Sequence, residues 1–208
     1  KFSEEKQILM KALGADIIHT KREDGMLWAA AKAQELLSEI KDSISLQQFK
    51  NMSNPKAHYE TTGPEIYQDL DGKIDYLVAG AGSGGTYSGV VKFLKEQNRN
   101  IKGILADPVG STMGGGEHAD YDIEGIGNDF IAETMDMSLV DKVIKINDTQ
   151  AFDGARSLAR HEGILGGSST GAAFSAALKL IYEHHVKGNI VFIAPDSGDR
   201  YFSKHLYA

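Results

Sequence analysis

The segment Gly80-Ala81-Gly82-Ser83-Gly84-Gly85-Thr86 directly follows an apolar run, Asp75-Tyr76-Leu77-Val78-Ala79, and opens a stretch of helical period. A loop in that place presents backbone N–H groups that have no intrahelical partner, and the helix dipole adds positive potential to them. Glycines keep side chains out of the approach, and Ser83 and Thr86 add hydroxyl donors, so the chemistry on offer is the binding of a phosphate. The spacing GxGxGG is neither the dinucleotide fingerprint with its acidic residue about 20 positions on, nor a Walker loop, which ends in GK[ST]. A tight turn without a ligand is the competing account, since glycine turns after strands are common in α/β folds.

A second dense segment, Gly163-Ile164-Leu165-Gly166-Gly167-Ser168-Ser169-Thr170-Gly171, puts three consecutive hydroxyls between two helical stretches. They are either an N-cap for the helix starting near Thr170 or hydroxyls aimed at a ligand beyond the strand ends. Gln47-Gln48-Phe49, with Asn51 and Asn54 behind it, offers amides to a carboxylate, although turn formation also accounts for the two asparagines. Met113-Gly114-Gly115-Gly116 reads as a mobile loop. The seven histidines form no metal-binding pattern: His184 and His185 are adjacent, hence on different helix faces, and the rest are scattered. Asp107, Asp129 and Asp196 each fall near a strand end or loop, where an acid often serves as a cap, and spacing gives none of them a role.

The elements that must position these residues alternate. Residues 3–14 read as a short helix closed by Gly14, residues 15–20 as a strand, and residues 26–40 as a long helix with Met26, Leu27, Ala30, Ala33, Leu36, Leu37 and Ile40 on one face. A strand over 44–48 follows, then a helix that Asn54 caps and Pro55 begins, and another restarted at Gly63-Pro64. Strands over 74–79, 101–106, 143–146 and 190–194 then interleave with helices over 86–97, 149–161 and 170–184. This is the pattern of an α/β fold, a parallel sheet covered on both faces.

Composition narrows the function. The 208 residues are 41% hydrophobic and 25% charged, which is ordinary for a globular chain. The net charge of −7 and the lack of a basic block argue against nucleic-acid binding, and no apolar run reaches the length of about 20 residues that a bilayer crossing needs. With no cysteine there is no disulfide, thiolate metal site or thiol nucleophile, so the cytoplasm is the expected compartment. The chain opens at Lys1 without Met, in an order unlike a signal peptide, and is expected not to begin where its gene begins.

Taken together, the segments resemble fold type II pyridoxal-phosphate enzymes, specifically the cystathionine β-synthase and cysteine synthase group. The marks are residues 3–14, Gln48-Phe49 with Asn54-Pro55, Thr61-Thr62-Gly63-Pro64-Glu65-Ile66, the loop 80–86, Asp107-Pro108-Val109-Gly110-Ser111, Glu124-Gly125-Ile126-Gly127, residues 162–171, and Pro195-Asp196-Ser197. The resemblance implies a parallel-sheet fold type II architecture, with 1–43 the remainder of a smaller domain and 44–208 a larger cofactor-binding domain. It implies that Gly82, Ser83, Gly84, Gly85 and Thr86 hold the phosphate of pyridoxal 5′-phosphate and that Ser169 bonds its pyridine nitrogen. Gln48 then belongs to the substrate-carboxylate pocket, and Gly125, Ile126 and Gly127 line the entrance.

The activity implied is β-replacement on serine or O-acetylserine by a thiol, homocysteine giving cystathionine, with sulfide giving cysteine as the alternative. Asp107-Pro108-x-Gly110-Ser111 and Gly127-Asn128-Asp129-Phe130 look more like cystathionine β-synthase, although Asn128 stands where animal enzymes commonly have tyrosine. The family further implies amino-acid and thiol substrates and a homodimer, with no metal, nucleic-acid or membrane partner. Two motifs of the family, the SxKDR type carrying the Schiff-base lysine and the SGNTG type, are not found. No residue is therefore assigned as catalytic, an N-terminal part is expected to be missing, and the 208-residue chain by itself is expected to be inactive. An inactive module binding a phosphate ligand or a partner is the reading of another class, and an NAD-dependent oxidoreductase is disfavoured by the missing fingerprint.

Overall fold

The computed structural model describes residues 3–21 and 25–208. At its centre lies a four-stranded sheet of β1 (Tyr76–Gly80), β2 (Lys102–Pro108), β3 (Lys142–Ile146) and β4 (Ile190–Phe192), in the order β3-β2-β1-β4 with every pairing parallel. Parallel neighbours need crossovers, and helices supply them: α5 (Gly85–Gln97) joins β1 to β2, while α6 (Asp148–Glu162) and α7 (Ser168–Tyr182) join β3 to β4. Side chains alternate between two cores, as the period of a strand requires. Leu77, Ala79 and Leu105 pack with Tyr87, Val90, Val91 and Leu94 of α5 on one face. Val78, Ile104, Ala106, Ile144 and Ile146 pack with Ala172, Ala176 and Leu180 of α7 on the other.

Around this sheet stand α1 (Glu4–Ala12), α2 (Gly25–Glu39), α3 (Ser53–Glu60) and α4 (Thr62–Asp69). The regular alternation read from residue 74 onward agrees with the structure to within a few residues at each boundary. Two expected strands do not. Residues 15–20 join no strand ladder among the described residues, and Ile18 is exposed. Residues 44–48 end in a turn instead: Gln47 sits at φ +48°, and its carbonyl accepts from the N–H groups of both Lys50 and Asn51. Such a positive φ breaks the extended geometry that apolar alternation alone had indicated. A 3-10 helix over Gly198–Lys204, unforeseen in the sequence, closes the chain and buries Tyr201.

Two loop assignments also change. Asn54 is not a cap, because α3 starts at Ser53 and Asn54 lies within its first turn. Its Nδ2 instead bridges the Gln48 carbonyl at 2.8 Å and Ser83 Oγ at 2.9 Å. The segment 113–116 is tied down at its start: Met113 is buried, and the Gly114 N–H donates to Asp107 Oδ2 at 3.0 Å.

Candidate functional site

All four strands run the same way, so their carboxyl ends open onto one edge of the sheet. Strand order reverses direction between β1 and β4, the place where a crevice forms in open α/β sheets. A cleft lies there, lined by the loop after β1, by residues 193 and 195–197 after β4, by 118–129, and by Ser169 at the start of α7. It gathers Gln48, Gly82, Ser83, Gly84, Thr86, Gly125, Ile126, Gly127 and Ser169. Gly85 is not on its wall; a side chain there would run into Asn54, whose Oδ1 lies 1.9 Å from the Cβ position.

Among the described residues, the backbone N–H groups of Gly82, Ser83 and Gly84 donate to no protein acceptor, and the Gly85 N–H reaches Ser83 Oγ only at 3.5 Å. Gly84 caps α5 at φ +83°, which sets the loop at a helix N-terminus on the cleft wall. The same glycines also serve packing. A Cβ on Gly82 would stand 2.6 Å from the Gly125 carbonyl oxygen, and one on Gly84 2.4 Å from Met135 Cβ. Thr86 Oγ1 lies 3.1 Å from His58 Nε2, and His58 Nδ1 lies 2.9 Å from Thr62 Oγ1. Burial pushes the His58 imidazole below its ordinary pKa.

The three hydroxyls at the start of α7 have separate tasks. Ser168 Oγ accepts from the Glu124 N–H at 3.0 Å, and Thr170 Oγ1 donates to Asp196 Oδ1 at 3.1 Å. The Ser169 hydroxyl has no hydrogen-bond partner among the described residues, and Ser169, only 4% exposed, lines the cleft. The helix is capped at Gly167 without any side chain of its own segment, which removes the cap role from Ser169. Its hydroxyl is thus open to the cleft and not engaged by the protein, where buried polar groups are otherwise paired.

Gln48 likewise lines the cleft with a carboxamide that no described side chain engages, its backbone carbonyl being the group held by Asn54. The 125–128 stretch is stitched to the loop after β1: the Gly127 N–H donates to the Ala81 carbonyl at 2.8 Å, and Asn128 Nδ2 to the Gly82 carbonyl at 2.6 Å. Four described lysines, Lys6, Lys21, Lys32 and Lys204, line the cleft, and each is engaged by another group. No cluster of metal-ligating side chains occurs among the described residues.

Sequence reasoning left Asp107 and Asp196 without roles, and both prove structural to the site. Asp107, buried near the end of β2, holds Lys145 Nζ at 2.5 Å, and Lys145 in turn holds the Ser111 carbonyl at 2.7 Å. Asp196 accepts from the Gly167 N–H at 3.0 Å as well as from Thr170, and Tyr201 donates to its other oxygen. The signal for Asp196 was the acid itself beside Pro195; Tyr201 and Lys6, its supports, gave none.

The profile of the family described as "Pyridoxal-phosphate dependent enzyme" matches residues 1–196. An O-acetylserine dependent cystathionine beta-synthase of Bacillus subtilis (strain 168) is 49% identical over 206 residues, which cover 99% of this chain and 67% of that protein. A cysteine synthase of Helicobacter pylori (strain J99 / ATCC 700824) is 44% identical over 208 residues, 100% of this chain and 68% of that protein. The crystal structure of an O-acetylserine dependent cystathionine beta-synthase from Helicobacter pylori superposes with a TM-score of 0.94 at 43% identity, covering 100% of this chain and 68% of that one.

Proposed function

Since this chain belongs to the family of pyridoxal-phosphate dependent enzymes, we propose that it serves β-replacement on O-acetylserine, with homocysteine as the entering thiol and cystathionine as the product. The carbon–oxygen bond at the substrate's β-carbon breaks and acetate leaves; a carbon–sulfur bond forms in its place, and the thiol's proton is released. Serine, losing water, is the alternative donor. The names borne by its relatives place the activity in the cystathionine β-synthase and cysteine synthase class.

The residues present fit the cofactor. Bound pyridoxal phosphate supplies an electron-accepting ring that stabilises negative charge at the substrate's α-carbon. The free amides of Gly82, Ser83 and Gly84, with Thr86, would hold its phosphate at the head of α5. The unpartnered Ser169 hydroxyl would meet the ring nitrogen, and this is the observation that carries the reading. A neutral hydroxyl there places no carboxylate against the nitrogen, which favours loss of the β-substituent over transamination. Gln48 offers its carboxamide to the substrate carboxylate, and Gly125, Ile126 and Gly127 form the entrance wall.

The same reading divides the chain into 1–43, of a smaller domain, and 44–208, of the cofactor-binding domain. It implies a cytoplasmic homodimer acting on small amino-acid and thiol substrates, with neither nucleic acid nor membrane as partner. No helix among the described residues is long and apolar enough to cross a membrane. A cysteine synthase using sulfide is the second reading, supported by the 44% identical relative of that name.

The test uses the natural full-length protein. With O-acetylserine saturating, kcat/KM for cystathionine formation from homocysteine is compared with that for cysteine formation from sulfide; the larger value for homocysteine is expected, and the reverse by tenfold or more selects the second reading. Ser169→Ala should still load with cofactor, though about five- to tenfold more weakly, and should slow the chemical step, lowering kcat while KM stays nearly unchanged. Wild-type kinetics in that variant would remove Ser169 from the site.

A further inference from the structure

The two neighbours of Ser169 are both pinned, and the groups that pin them are connected. Ser168 Oγ accepts from the Glu124 N–H at 3.0 Å, and the Glu124 carboxylate receives Lys6 Nζ at 3.0 Å. Lys6 Nζ also donates to Tyr201 Oη at 2.7 Å and stands 4.1 Å from the centre of the same ring. Tyr201 donates to Asp196 Oδ2, and Asp196 Oδ1 accepts from Thr170 Oγ1 at 3.1 Å and from the Gly167 N–H at 3.0 Å. The result is a closed circuit, Ser168, Glu124, Lys6, Tyr201, Asp196, Thr170, with Ser169 inside it.

The direction of every bond at Asp196 is determined. An ammonium has only donors, so Tyr201 Oη accepts from Lys6 and its single proton goes to Asp196. Burial, followed by the bond to Asp196, pushes the Tyr201 phenol far above its ordinary value, so the proton stays there across the working pH range. Asp196 is then acceptor to three donors and supplies the cap that Gly167 lacks, with negative charge at the positive end of α7. The fit around it is close: a Cβ on Gly167 would meet Asp196 Oδ2 at 2.3 Å and the Tyr201 ring at 2.5 Å.

We infer that Asp196 is a positioning residue for Ser169: through the Gly167 N–H and Thr170 it fixes the first turn of α7 so that the Ser169 hydroxyl faces the cleft, and Tyr201 and Lys6 hold Asp196 in that task. The inference rests on the reading that Ser169 meets the cofactor's ring. It assigns the acid after β4 and the C-terminal 3-10 helix, which also line the cleft, to the electronic end of the site.

The experiment is a double-mutant cycle in the natural full-length protein, read by equilibrium titration of apoprotein with pyridoxal phosphate and by the absorption maximum of the bound cofactor, with circular dichroism reporting the fold. Asp196→Ala should weaken cofactor binding about five- to tenfold and shift the band, whereas Asp196→Asn, which keeps an acceptor toward Gly167 and Thr170 but turns a donor on the Tyr201 hydroxyl, should restore part of both. In a Ser169→Ala background, Asp196→Ala should add almost nothing. If Asp196→Ala does not fold, Thr170→Val, which removes one bond of the same pair, replaces it in the cycle with the same non-additivity expected. Equal effects of Asp196→Ala, or of its replacement, with and without Ser169 would overturn the inference, as would a wild-type band and affinity in Asp196→Ala. A Ser169→Ala variant with unchanged affinity, band and kinetics would instead overturn the reading beneath it.

Discussion

At the scale of single residues, the unresolved choice lies in one imidazole. His58 sits between Thr62 and Thr86, with Nδ1 and Nε2 each within hydrogen-bond reach of a hydroxyl. A neutral imidazole has one donor and one acceptor. With the proton on Nε2, His58 donates to Thr86 Oγ1 and leaves the Thr86 proton free for the cleft; with the proton on Nδ1, it takes that proton instead. A phosphate only accepts when fully ionised, so pyridoxal phosphate should select the Nε2–H tautomer, which nitrogen chemical shifts of labelled histidine report. The pH dependence follows from burial, which holds the folded pKa of His58 below its value in the unfolded chain, about 6.5. The unfolded chain then binds the proton more readily, so stability from this group is fully present above about pH 6.5 and is lost as pH falls through the folded pKa. Denaturant titrations between pH 7.5 and 5.5 should show a smaller loss in His58→Gln than in wild type; equal losses would show that His58 carries none of the dependence.

At the scale of elements, the position of Ser169 depends on how closely α7 lies on α6. A Cβ on Gly171 would stand 1.9 Å from the Ala151 carbonyl oxygen and 2.6 Å from the Ala155 nitrogen, and one on Gly154 would stand 2.5 Å from the Gly171 carbonyl oxygen. At Gly171 backbone meets backbone, so no side chain can rotate out of the way. Gly171→Ala should therefore push the helices apart, costing about 1–3 kcal/mol of stability as an overpacked core does. It should also weaken cofactor binding, because Ser169 lies half a turn away on the displaced helix. Thermal melting and cofactor titration of the same preparation check both effects; full stability with full affinity would show that the helices are free to separate. The sequence displayed Gly171 in a glycine-rich segment, but not that its neighbour is a helix instead of a ligand. Gly84 teaches the same lesson: a bulky residue there strikes Met135 before it strikes anything in the cleft, so hydroxyl removal at Ser83 or Thr86 is the cleaner probe of the phosphate site.

For the whole molecule, what was legible in the sequence is what is local. The strand, loop and helix around 76–97 show in periodicity and glycine placement because each is decided within a few residues. Pairing is not local, which is why residues 15–20 and 44–48 carry strand-like patterns and no ladder among the described residues. The circuit around Ser169 joins positions 6, 124, 168, 170, 196 and 201, so no spacing announces it, and Tyr201 reads as an ordinary aromatic until the fold buries it. Because the binding groups are brought together only by the folded sheet, a cofactor that uses them stabilises the native state and not the unfolded chain. Linkage then sets the size: at a free concentration 100 times Kd the gain is about 2.7 kcal/mol. In a domain of roughly this length, that is a rise of about 5–10 °C in Tm. If the amides of Gly82, Ser83 and Gly84 hold the phosphate, pyridoxal at the same concentration, lacking that group, should raise Tm far less, and inorganic phosphate should reduce the effect of the whole cofactor by competition. Ser83→Ala, one hydroxyl donor worth about 1 kcal/mol, should lower the shift without abolishing it. Pyridoxal stabilising the protein as strongly as pyridoxal phosphate would show that the loop after β1 is a packing turn and that the cofactor is held elsewhere.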